Sequence, residues 1–186
     1  LLLSKLLEAL CVGGRSTRAG GKIGVLAVDP TSPAGGGALL GDRVRMPRLP
    51  AGVFLRSVAT RGATGGLSDK LVDMAAAMNA YGYSRVFVET VGIGQDELAV
   101  RQVADTLVVV EAPGLGDDVQ AMKATPLSVA DIIVVNKSDK PGASVTAATI
   151  EDTLGIKPVL TSALEGEGIA DLGAADAIKG LRQDIE

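Results

Sequence analysis

Four consecutive β-branched residues, Ile132-Ile133-Val134-Val135, run directly into Asn136-Lys137-Ser138-Asp139. β-Branched side chains favour extended backbone. An apolar run without alternation needs cover on both faces, which a parallel sheet flanked by helices provides. This stretch therefore commits the chain to an α/β architecture. Open parallel sheets bind ligands beyond the carboxyl ends of their strands, which is where the polar tetrad falls. A carboxylate at Asp139 can accept from the ring N–H and the exocyclic amine of guanine together, a donor pair that adenine lacks. Asn136 can tie the loop to its neighbours, and the Lys137 stem can lie along the face of a base. A strand followed by an ordinary polar turn would use the same residues, so the tetrad alone leaves both readings open.

Further strand ends carry acids. Ile23 to Val28 reads as a buried strand ending in Asp29-Pro30, which brings Asp29 to where a metal or phosphate would be handled; a strand-terminating turn is the alternative. A Gly-rich loop, 31–41, leads on to Asp42. Residues 53–58 form a candidate strand, 60–68 a polar Gly-rich loop, and 68–80 a helix capped by Ser68, with Leu71, Met74, Ala75 and Met78 inward. A strand over 85–88 ends in Glu89-Thr90-Val91-Gly92. An acid at a strand end, three residues before a glycine, has the form of a Walker B and switch II pair: Glu89 would hold a Mg²⁺-bound water and the Gly92 N–H would meet a γ-phosphate. A helix is expected over 96–104, a strand over 106–110, a helix with Gln120 and Lys123, a short helix over 147–154, and a last strand over 157–160. That strand ends in Thr161-Ser162-Ala163-Leu164. Ser162 lies 26 positions after Asn136, room for one strand–helix–strand unit, so a Ser-Ala backbone could reach the guanine O6.

Composition narrows the function classes. The 186 residues suit one α/β domain, and 47% hydrophobic content suffices for its core. Eighteen basic against 22 acidic residues leave no cationic footprint for nucleic acid or an anionic membrane. No apolar run approaches the roughly 18 residues that span a bilayer. A single cysteine, Cys11, excludes an internal disulfide and suits a reducing compartment, hence a cytoplasmic protein. The absence of histidine argues against handling zinc, nickel or cobalt. Gly14 to Lys22 has the look of a phosphate loop, but Ile23 stands where Ser or Thr is required and a strand follows in place of a helix.

The ordered set V-L-A-V-D-P (25–30), L-G-D-R-V-R-M (40–46), V-E-T-V-G-I-G-Q (88–95), A-P-G-L-G-D-D-V-Q-A-M-K (112–123), A-D-I-I-V-V-N-K-S-D (130–139) and T-S-A-L-E-G-E-G-I (161–169) closely resembles the methylmalonyl-CoA mutase-associated GTPases of the MeaB/ArgK type. The resemblance covers nearly the whole chain. It implies a P-loop NTPase fold, a three-layer α/β/α sandwich with a mostly parallel sheet, as a single G domain over 1–186. It implies a Mg²⁺-dependent GTPase binding GTP and GDP, acting as a chaperone on a cobalamin-dependent acyl-CoA mutase, usually as a homodimer. By resemblance Asp29, Asp42 and Glu89 serve Mg²⁺, Asn136, Lys137, Asp139 and Ser162, Ala163, Leu164 hold the guanine, and the loop with Gln120 and Lys123 matches a switch that couples nucleotide to partner.

Aligned on Leu6 to Leu10, the lysine of the family's G-x-x-x-x-G-K-[ST] loop falls on Leu3 and its serine on Ser4. The first strand and phosphate loop are therefore expected to be missing, the domain to be incomplete at its N-terminus, and GTP hydrolysis by this chain to be very slow, because phosphoryl transfer depends on positioned donors. An inactive nucleotide- or partner-binding remnant, and a metal-inserting GTPase of the same superfamily, are the alternatives.

Overall fold

The computed structural model describes residues 1–12, 22–29, 49–59, 67–90, 100–101, 103–114 and 126–180. The chain divides into two compact units: Leu10–Ala104, and Leu1–Ala9 with Asp105–Glu186. Each is an α/β layer with parallel strands.

In the first unit, β1 (Lys22–Asp29) is flanked by β2 (Val53–Ala59) and β3 (Tyr83–Thr90), in the order β2-β1-β3. As the central strand, β1 buries Ile23, Val25, Leu26, Ala27 and Val28 on both faces, as its unbroken apolar run requires. Helix α2 (Leu67–Ala80) covers one face. Leu71 and Met78 are buried from it, and Met74 packs against the same cluster of Leu26, Val28 and Val58. The helix starts at Leu67, so Ser68 lies in its first turn rather than before it. Gly24 makes room for this helix: a Cβ there would stand 2.7 Å from the Met78 sulfur. Of the helix expected over 96–104, residues 100 and 101 are helical.

In the second unit the order is β4-β5-β6, with β4 at Val108–Glu111, β5 at Ile132–Asn136 and β6 at Val159–Thr161. Ile132 to Val135 are all buried, the outcome that their composition dictates. Helix α3 (Ala143–Leu154) lies against β5, with Ile133, Val135, Ala143 and Ile150 in one cluster. It begins four residues earlier than expected, immediately after Gly142, whose φ of 89° turns the chain into it. Gly155, at φ 69°, closes it and donates its N–H to Glu151 O. Pro126–Val129 forms a 3-10 turn that the proline begins. Strand β4 starts two residues later than expected. Asp131 Oδ2 accepts the Leu107 N–H at 2.8 Å, and the Asp131 and Ile132 N–H groups both donate to Leu107 O, which holds 107 at the strand's threshold. Helix α4 (Ile169–Gly180), for which the sequence supplied no expectation, buries Ile169 and Leu172. Helix α1 (Leu2–Val12) carries Leu6 and Leu7 inward.

Candidate functional site

The carboxyl ends of β5 and β6 form one closely bonded loop pair. Val134, Val135 and Asn136 register with Val159, Leu160 and Thr161, so both strands end level and their following loops meet. Four hydrogen bonds lock the junction. The Ser138 N–H donates to Thr161 O at 2.9 Å. The Thr161 hydroxyl and the Ala163 N–H both donate to Asn136 Oδ1, each at 3.2 Å. The Ser162 hydroxyl donates to Asp139 Oδ1 at 2.7 Å, the short length of a charge-assisted bond. Thr161 and Ser162 are fully buried, so these hydroxyls gain more from a partner than surface groups would.

The loop after β6 is wound tightly enough to hold that serine. The Ser162 N–H goes to Glu167 O at 3.0 Å, the Gly166 N–H returns to Ser162 O, and the Glu165 N–H donates to Ser162 Oγ at 3.3 Å. Ser162 Oγ thus accepts from the backbone and donates to Asp139. Gly168 permits the winding: its φ is +68°, and a Cβ there would lie 2.0 Å from the Leu160 carbonyl oxygen. On the other side Lys137 adopts φ 63°, unusual for a residue with a side chain, and its carbonyl accepts the Lys140 N–H at 2.9 Å. This turn brings Asp139 back over the strand end, with only 19% of its side chain exposed. The Ser162 hydroxyl, and after it the Lys140 ammonium, hold the Asp139 carboxyl below the usual carboxylate range. Leu164 is 69% exposed, an apolar side chain on the same loop.

Each residue expected at the base site falls in this junction: Asn136, Lys137, Asp139, Ser162, Ala163 and Leu164. The N–H groups of Ser162 and Ala163, expected toward a guanine O6, are directed to Glu167 and Asn136 in this arrangement. Thr161 and Lys140 were given no role by the sequence. A hydroxyl residue ending a buried strand was the available signal for Thr161; Lys140 had none beyond adjacency to Asp139.

The other acidic strand ends lie in the first unit. Strands β1 and β3 are paired neighbours, with Ala27 opposite Glu89 and Val28 opposite Thr90, and Asp29 ends β1 one residue further on. Glu89 and Asp29 therefore arrive at the carboxyl ends of adjacent parallel strands. Glu89 Oε2 is shielded from solvent. Asp42, Gly92 and Lys123 lie outside the described residues. Ser4 sits in the first turns of α1, in the second unit. Among the described residues no three acidic, histidine or cysteine side chains group as metal ligands, and no helix is long and apolar enough to cross a membrane.

Solved structures share this architecture. HypB from Helicobacter pylori, solved in complex with nickel, superposes with a TM-score of 0.62 at 16% identity, over 99% of this chain and 83% of its own. A ParA family ATPase from Chlorobium tepidum gives 0.51 at 13% identity, over 92% and 84%. Parallel strands, flanking helices and these neighbours define a P-loop NTPase α/β fold.

The chain belongs to the family described as methylmalonyl Co-A mutase-associated GTPase MeaB, whose model matches residues 3–185. It is 48% identical over 183 residues to a Pyrococcus horikoshii protein that carries GTPase in its name, covering 91% of this chain and 57% of that protein. It is 42% identical over 138 residues to GTPase ArgK of Escherichia coli, covering 73% and 41%. The mitochondrial methylmalonic aciduria type A homolog of Mus musculus is 37% identical over 131 residues, covering 69% and 32%. The chain spans about half the length, or less, of these curated relatives.

Proposed function

We propose that residues 1–186 form a single G domain of a Mg²⁺-dependent GTPase that binds GTP and GDP and escorts a cobalamin-dependent acyl-CoA mutase. The family name supplies methylmalonyl-CoA mutase as the partner. A cytoplasmic homodimer that binds neither nucleic acid nor membrane completes this reading. The observation that carries it is the preorganised Asp139 carboxylate, charged, aimed by Ser162 and set at the end of a buried strand. Asp139 accepts from the guanine ring N–H and amine. Asn136, fixed by Thr161 and Ala163, frames the base edge, while the Lys137 stem and the exposed Leu164 offer surfaces for its faces.

Ser4, Gly92 and Lys123 are assigned to the phosphate side, with Lys123 also in the switch that senses the partner. Asp29, Asp42 and Glu89 are the Mg²⁺ residues; carboxylate oxygens are the hard donors that this ion prefers, and β1 and β3 deliver two of them side by side. When bound, Mg²⁺ would neutralise charge on the phosphate oxygens. Glu89, with one oxygen already sheltered from water, would orient a water molecule of the ion's shell. The nickel in HypB belongs to that protein; a chain without histidine is poorly equipped for such cargo.

The test is nucleotide selectivity. With the ¹⁵N-labelled chain, GMP should bind at least about tenfold tighter than AMP, since a charge-assisted hydrogen bond contributes roughly 1.5–3 kcal/mol. Asp139→Asn should lose about 10- to 100-fold for GMP and turn preference toward XMP, whose 2-oxo group can accept from the new amide. Equal binding of GMP and AMP by the unmodified chain overturns the proposal.

A further inference from the structure

Asp139 is engaged on both sides before any base arrives. Its Oδ1 takes the Ser162 hydroxyl, and its Oδ2 lies 3.2 Å from Lys140 Nζ. The two partners differ in kind. Ser162 is fully buried, with its oxygen pinned by the Glu165 N–H. The Lys140 side chain is 60% exposed and reaches the carboxylate from the next residue along a flexible stem. The backbone of Lys140 is fixed independently, its N–H on Lys137 O and its carbonyl receiving the Ala143 N–H at the start of α3. Removing the ammonium therefore need not disturb the turn.

We infer that Lys140 is a specificity-determining residue: its ammonium occupies the acceptor position on Asp139 Oδ2 that the exocyclic amine of guanine needs, and so weakens discrimination between guanine and hypoxanthine. The inference rests on the guanine reading of Asp139 given above. A purine with both ring N–H and 2-amino groups must displace or share with Lys140 to use the second oxygen. Hypoxanthine has the ring N–H but no amine, and leaves the ion pair in place. The ion pair is thus lost or diluted only for guanine, and its free energy is subtracted from the contribution of the amine. An exposed pair of this kind is weak and screened by salt, which limits the effect to roughly two- to fivefold.

The ratio of IMP to GMP dissociation constants isolates this effect, because the ribose, phosphate and fold contributions are common to both nucleotides. In low salt, measured by NMR titration of the labelled chain, Lys140→Ala and Lys140→Met should each raise the ratio by roughly two- to fivefold. Lys140→Met keeps the apolar stem and separates charge from packing. Lys140→Arg, which can rebuild the pair, should stay within about a factor of two of the unmodified chain. Raising salt from 20 to 500 mM should move the unmodified chain toward the Lys140→Ala ratio and leave that variant unchanged. A preference for GMP over AMP with an IMP-to-GMP ratio unaffected by Lys140→Ala and Lys140→Met overturns the inference while sparing the guanine reading: Oδ2 would then serve both donors at no loss. Equal binding of GMP and AMP overturns both.

Discussion

The carboxyl ends of β5 and β6 and those of β1 and β3 are organised by different means. At the first, side chains fix one another. Thr161 sets Asn136, Ser162 sets Asp139, and the loop backbone sets Ser162. At the second, position comes from strand register: Glu89 and Asp29 are brought to neighbouring strand ends by the pairing of β1 with β3. The first arrangement is suited to reading a rigid, planar base, where a fraction of an ångström decides whether two donors are met. The second suits an ion whose remaining coordination positions are filled by water and phosphate, which can adjust. On the proposed reading, specificity is built from a local network and charge neutralisation from fold-level placement.

If that contrast is right, the base loop should be brittle to a single backbone change. Gly168→Ala adds a Cβ where the Leu160 carbonyl already stands, at a positive φ that L-residues resist. The backbone of β6 would have to move, at a cost of about 2–4 kcal/mol. Denaturant unfolding should show that loss, and the Ser138 and Ser162 amides should lose hydrogen-exchange protection first. Full retention of their protection would mean that the loop tolerates rewinding and that the network is less demanding than its geometry implies.

The ends of β1 and β3 should be separable from base reading. Glu89→Gln keeps the shape and removes the charge. In the presence of GDP, Mn²⁺ used in place of Mg²⁺ should broaden amide signals at the ends of β1 and β3, and the substitution should raise the concentration required by about 10- to 100-fold, the usual range for residues that orient metal-bound groups. The GMP-to-AMP preference should not move. A Glu89→Gln chain that loses base selectivity would erase the distinction between the two regions.

The smallest effect concerns pH. Asp139 is held below its ordinary value, first by the Ser162 hydroxyl and then by Lys140. A carboxyl depressed in the folded state contributes stability above its unfolded pKa of about 3.9, and that contribution fades as pH falls through the lower, folded value. Binding of guanosine, which carries no titrating phosphate, needs the same ionised form, so it should hold from neutral pH until the pH falls below the ordinary carboxylate range. Ser162→Ala removes the largest depressing interaction, so binding should begin to decline at a higher pH than in the unmodified chain. A ¹³C titration of the Asp139 carboxyl checks the assignment directly, and identical titrations in both proteins would show that Ser162 has no hold on it.

Much of this was written in local sequence. Ile132 to Val135 could be stable only as a strand covered on both faces, and it is. The apolar spacing of Leu71, Met74 and Met78 specified the buried side of α2, because helical period and burial are the same information. The tetrad ending at Asp139 raised a base-reading carboxylate as one of two readings, because the chemistry of two adjacent acceptors is local to one side chain. Element ends were less legible: α3 starts at Ala143 because Gly142 turns the chain there, and β4 starts late because Asp131 reaches across to Leu107. The partnerships were not legible at all. That Thr161 bonds Asn136 and that Ser162 holds Asp139 depend on two strand ends finishing level although Asn136 and Thr161 stand 25 positions apart, and that Lys140 pairs with the other oxygen depends on the turn after β5. Residue type and period travel along the chain and can be read from it; the distance between two side chains is set by packing, and only the folded structure contains it.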